Sequence, residues 1–355
     1  MPYNLKEGWE FKEVRDQIIL ATQDQADFST TLQGLAGGYL GGQAIAHQTG
    51  EYVLTPSGFA QFAERLGLGV NALRTFDDAP EIQRAMVTHM AEKHDDIVGL
   101  LVRAQGQSIQ AVLSDEYVPI RNFDVAVALD MVLPKEGART HRWNLSDGGR
   151  VLDMRILVPS WEFNIGNGHK DVALAGLHIT NDELGGGKLV AKAALSKVAC
   201  FNYTLTATPI FESAHRYTSF GDFRDALSDG VKRIDEFAEV MAGQLRSFHR
   251  TPIEDVVLTF NRIGEKLGVP QYALDSAHEY WQQTGGEHNL FAVVQSVTRG
   301  VQMLTENTGR RAVKWDVRNR LETEMLTLAQ EVHEHGEQHL HTCVACGHVI
   351  SEEVE

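Results

Sequence analysis

The sequence predicts an α+β fold: an antiparallel β-sheet core with packed helices, helical N- and C-terminal flanks, and a short metal-binding tail. Three observations predict it. Residues 97–217 hold pairs of short β-prone runs joined by turn sequences, with helical segments between them. After Pro209 apolar residues recur at helical spacing for most of the chain. The last 25 residues, 331–355, carry no Lys or Arg, six Glu, and a C-x-x-C flanked by histidines. The chain therefore divides into a helical N-terminal region (1–96), an α+β core (97–217), a helical C-terminal region (218–330) and an acidic His/Cys tail (331–355).

In order along the chain, residues 9–33 read as a mostly helical start. The run Leu35-Ala-Gly-Gly-Tyr-Leu-Gly-Gly favours a turn, because glycine at that density is costly inside a helix. Thr55-Pro-Ser-Gly opens a helix in which Phe59, Phe62, Ala63 and Leu66 share a face. Residues 80–94 form another. Ile97–Ala104 and Ser108–Leu113 flank Gln105-Gly106-Gln107, a hairpin signal. Phe123–Leu133 is a short helix with Asn122 as its cap. Arg139–Leu145 and Arg150–Val158 flank Ser146-Asp-Gly-Gly, a second hairpin. Val172–Thr180 returns through a glycine turn into Lys188–Leu195, and Ser196–Thr206 reads as a helix with Val198, Phe201 and Leu205 on one side. The C-terminal helices are expected at Phe220–Phe248, Pro252–Leu267, Gln271–Gln283, Leu290–Leu304 and Arg318–Gln330.

The chain has 355 residues, 43% hydrophobic and 23% charged, too apolar for a disordered chain. Its apolar runs fall short of the ~20 residues that span a bilayer, so no membrane role is expected. The charged start does not suit a signal peptide, and three cysteines cannot build a disulfide framework. Together these place the protein in a reducing cytoplasm. The net charge of −16 excludes a uniformly basic nucleic-acid coat, but the acidity is uneven. Residues 1–96 balance at −7, 97–217 at 0, 218–330 at −3 and 331–355 at −6. A surface that attracts a polyanion is therefore expected in the central block.

Ala111-Val-Leu-Ser-Asp-Glu-Tyr-Val-Pro-Ile-Arg-Asn, Gly176-Leu-His-Ile-Thr-Asn-Asp with the glycine turn after it, Leu195-Ser-Lys-Val-Ala-Cys-Phe-Asn and Leu290-Phe-Ala-Val-Val-Gln-Ser-Val-Thr-Arg-Gly together resemble family nine hundred thirty-two of the domains of unknown function, found on phages and plasmids. The resemblance covers roughly residues 95–330. It departs from the family pattern where Phe201 separates Cys200 from Asn202. The order of hairpins and helices is also similar, at the level of fold, to single-strand annealing recombinases of the Rad fifty-two and Red beta types. This implies a bacterial host cell, single-stranded DNA as partner, a homo-oligomer, and strand annealing and recombination without ATP.

Annealing breaks no bond. It needs cations spaced along phosphates and base edges left free. The candidates are Arg121, Arg139, Arg142, Arg150, Arg155, Lys188, Lys192 and Lys197, with Tyr117 as a stacking ring. Lys188 and Lys192 share a face in either a strand or a helix, since their offset is four. Arg139 and His141 share one strand face and Arg142 takes the other, while Arg150 and Arg155 fall on opposite faces. Trp143 and Phe201 are further stacking candidates, although aromatics are more often core residues.

In the tail, Cys343 and Cys346 can bind one zinc from adjacent corners, with His341 and His348 completing a tetrahedron. The acidic tail also suits a basic protein partner. Gly185-Gly-Gly-Lys188 is no phosphate loop, because Asp182 and Leu189 stand where that pattern needs Gly and Ser or Thr. Two other classes remain open: a scaffold that binds partners through its helices, and a metal-dependent nuclease built on Asp153, Asp171, Asp182, Glu183 and His178.

Overall fold

The computed structural model describes residues 9–335 except 95, 98, 135–136, 147–149, 166–171, 198–204, 217 and 307–314. The fold is α+β, with two six-stranded sheets that each carry helices on one face.

The larger sheet begins with β1 (Trp9–Glu10) at one edge. It continues through β8 (Arg139–Ser146), β9 (Val151–Asn164), β10 (Val172–Asp182), β11 (Leu189–Lys197) and β12 (Leu205–Ser213), in that spatial order and antiparallel throughout. Alternation sets its inner face. Leu152, Met154 and Ile156 of β9, Ala175, Leu177 and Ile179 of β10, and Ala191, Ala193 and Leu195 of β11 all enter one buried core. The helices α1 (Phe11–Thr22), α6 (Asn122–Val132), α8 (Ile234–Arg250), α9 (Val256–Leu267) and α11 (Leu290–Glu306) are among those that line that core.

The smaller sheet runs β2 (Gln25–Thr30), β6 (Leu100–Gln105), β7 (Ser108–Ser114), β5 (Gly50–Leu54), β4 (Ala44–His47) and β3 (Tyr39–Gly41). Only β5 and β7 pair in parallel. Phe59 and Phe62 of α3 (Pro56–Arg65), with Leu32 and Leu35 of α2 (Leu32–Gly37) and Val87 of α5 (Pro80–Lys93), fill its core. The Thr55 hydroxyl caps α3 by accepting from the Gly58 N–H at 3.2 Å.

Several sequence expectations are corrected here. Residues 1–96 are not wholly helical: they supply β1 to β5, and the boundary at 96 cuts the smaller sheet, whose β6 and β7 come from beyond it. The helix expected at Ser196–Thr206 is strand at both described ends, 196–197 in β11 and 205–206 in β12. The long stretch at 220–248 is two helices, α7 (Phe220–Lys232) and α8, which break at Arg233. Asn122 is the first residue of α6 rather than its cap. The Asp124 carboxylate accepts from the Arg121 N–H, and the Asn122 side chain turns inward. The other C-terminal helices are α10 (Gln271–Gln283) and α12 (Trp315–His335). The tail with His341, Cys343, Cys346 and His348 lies outside the described residues. Among those residues no helix is long and apolar enough to cross a membrane.

Two buried histidines make the fold acid-sensitive. Burial pushes His215 and His141 down to about 4. His215 donates from Nδ1 to the Val118 carbonyl at 3.3 Å and stacks on Tyr117. An unfolded imidazole takes up its proton near pH 6.5, a folded one only near 4, so stability is lost as pH falls between those values. The loss is up to about 3 kcal/mol per histidine. Urea unfolding at pH 7 and pH 4.5 checks this, with a smaller difference expected for His215→Gln.

Candidate functional site

The turn between β10 and β11 reaches into the smaller sheet and ends in a buried ionic junction. Arg103 of β6 is fully buried. It donates from Nε and Nη2 to the two Asp27 oxygens at 2.9 and 3.0 Å, and from Nη1 to Glu183 Oε2 at 3.0 Å. Arg121 adds a bond to Asp27 at 3.1 Å. Glu183 accepts through its other oxygen from the Asn122 N–H. Arg150, also fully buried, sits 3.8 Å from Glu183 and donates to Gln105 Oε1 at 3.1 Å. Gly185 makes the turn possible: its φ is +80°, and a Cβ there would meet Leu113 at 2.7 Å.

The charges respond accordingly. Burial alone would raise the Asp27 carboxyl, but the hydrogen bonds and charge of Arg103, helped by Arg121, hold it below its ordinary value. Burial raises Glu183 against the pull of Arg103 and Arg150. Burial also brings Arg150 down to about 10.

This arrangement redistributes the residues expected to meet a polyanion. Arg150 and Arg155 are fully buried, which corrects the expectation that they lie on a surface. Tyr117 is no open stacking platform. It is buried, its ring lies on His215 at 4.8 Å, and its hydroxyl donates to the Asp182 carbonyl. Arg139 pairs with Glu10, and Arg121 with Asp27. Lys188 is exposed and pairs with Glu212 at 2.7 Å. Lys192 is half-buried, and its charge also acts on Glu212. The two lysines and Glu212 thus meet on one corner of β11 and β12, and together they lower the Glu212 pKa. Trp143 is half-buried against the larger core and meets Trp9 edge to face. The side chains of Arg142, Lys197 and Phe201 lie outside the described residues.

One alignment was not anticipated. The strand register places Arg142 opposite Arg155, Arg155 opposite His178, and His178 opposite Lys192. These four positions form one row across β8, β9, β10 and β11. By alternation, Arg155, His178 and Lys192 fall on the face away from the helical core. With neighbouring strands ~4.8 Å apart, the row spans about 14 Å. Its centre is closed: His178 and Asp153 are both buried and pair at 3.1 Å. The row surfaces toward Lys192, next to the Lys188 corner.

Asp153 is thus tied to His178, and Glu183 to arginines, rather than to each other; Asp171 lies outside the described residues. Among the described residues, no group of three or more His, Cys, Asp or Glu could hold a metal ion.

Removing one partner from a buried charge cluster strands the others. Glu183→Gln should therefore destabilise the protein by about 3–5 kcal/mol in urea unfolding. Arg103→Lys should fail to restore the bidentate contact with Asp27. No family model, curated protein or solved structure matches the chain, so its site is read from its own chemistry.

Proposed function

We propose that the protein binds single-stranded DNA and promotes annealing without ATP, acting as a homo-oligomer in a bacterial cytoplasm of phage or plasmid context. The observation that carries this reading is the corner where the exposed Lys188 stands beside the half-buried Lys192. Two cations at a fixed offset of four residues suit neighbouring phosphates and leave bases unconfined. Each copy brings few exposed cations to this corner, so neighbouring copies in a ring or filament would extend the strip. The resemblance to the phage and plasmid family supports the same reading. Zinc is proposed for His341, Cys343, Cys346 and His348, where it would stabilise the tail.

A second reading is a partner-binding scaffold. Its support is the pairing of Arg139, Arg121 and Lys188 with carboxylates, which draws those cations away from a polyanion.

The salt dependence of oligonucleotide binding separates the two. A DNA binder loses affinity linearly in log salt, at about 0.7 per phosphate neutralised on single strands. Lys188→Ala with Lys192→Ala should flatten that slope by about 1.4 and slow annealing. Glu212→Gln, which releases Lys188 and removes an anion near Lys192, should tighten binding. An absent slope in the wild type favours the scaffold. Metal analysis of the purified chain should find one zinc, lost on Cys343→Ser with Cys346→Ser.

A further inference from the structure

We propose that the junction between the two sheets binds one small monovalent anion, of chloride size, beside Arg150. Five charged groups act on one another there: Arg103, Arg121 and Arg150 against Asp27 and Glu183. Among these five the arginines outnumber the carboxylates by one. The excess lies with Arg150. Arg103 has two carboxylate partners at hydrogen-bond distance, and Arg121 has one and is partly exposed. Arg150 is fully buried, and its nearest carboxylate oxygen is 3.8 Å away, beyond a hydrogen bond.

Its hydrogen bonding is incomplete in the same place. Nη2 is used by Gln105, while Nε and Nη1 have no hydrogen-bond partner. Gln25 stands opposite Gln105 in the register of β2 and β6 and is buried as well, and both atoms of its amide are without a partner. A guanidinium and an amide, both adjoining Gln105 and both unsatisfied, offer N–H donors to an acceptor. Buried polar groups are nearly always paired, so this concentration of unused donors marks a ligand position. A water would satisfy donors but leave the charge uncompensated. A monovalent anion does both. Arg103, Arg150 and Glu183 are all fully buried, which limits it to a small ion.

This site is separate from the lysine corner, and neither proposal depends on the other. The test uses the full chain at fixed pH and ionic strength, with chloride exchanged for gluconate, which is too large to enter. Chloride should raise the melting temperature in a saturable way and broaden the chlorine-35 resonance of the buffer. Both effects should vanish in Arg150→Met. Gln25→Leu keeps the guanidinium and should weaken the chloride response roughly tenfold. If Arg150→Met does not fold, the wild type and Gln25→Leu decide. Equal melting temperatures in chloride and gluconate, with an unbroadened chlorine signal, would overturn the proposal and leave only water at Arg150. So would a chloride response identical in wild type and Gln25→Leu.

Discussion

The carboxylate of Glu183 is the constraint on which the two halves of this fold depend. It comes from the turn between two strands of the larger sheet, yet it is spent on Arg103 of the smaller sheet and on the first backbone amide of α6. Three separately built pieces are thereby held at one point. Buried ion pairs add little net stability, because desolvation offsets their attraction. They do penalise every arrangement that leaves a charge unpaired. The junction therefore acts less as glue than as a register: a turn that docked one residue out of place would take one of Arg103's two carboxylates and leave Arg150 without its nearest acid.

That register has consequences for the sheet behind it. With the turn pinned, β10 and β11 are fixed against each other, and His178 falls opposite both Arg155 and Lys192. A shift of one residue in either strand would send the cations toward the apolar core and the alanines outward. The polar second face of the larger sheet is thus tied to the ionic junction through backbone pairing alone. Within the row His178 stands between Arg155 and Lys192 and is itself paired with Asp153.

What the sequence made legible was local. The hairpin around Gly106 and the hairpin through the glycines at 185–187 follow from turn chemistry, and both appear with their partners as expected. The shared face of Lys188 and Lys192 follows from parity. The smaller sheet was not legible, because β3 to β5 are only three to five residues long, and β5 pairs with β7 more than 50 residues downstream. Arg103 lies 76 residues from Asp27 and 80 from Glu183, so no spacing rule joins them. Arg150 and Arg155 read as surface cations because burial of arginine is rare. Only the partner across the chain explains Arg150, and no composition count contains that partner.

The remaining question is how a chain of net charge −16 could hold a polyanion at all. At physiological salt, exposed charges are screened beyond about 8 Å. The chain's overall acidity therefore slows approach more than it weakens contact, and the contact is settled by the few groups within that radius. At the lysine corner these include Lys188, Lys192 and Glu212. A phosphate arriving there exchanges one anion for another, so the net gain per copy is small. On the proposed reading, affinity has to come from repetition. Copies side by side would each contribute a weak exchange, and their linkage would turn the later ones into intramolecular steps. A protein built in this way would release a single strand easily at its ends while holding it firmly in the middle, which is the behaviour that pairing with a complementary strand requires.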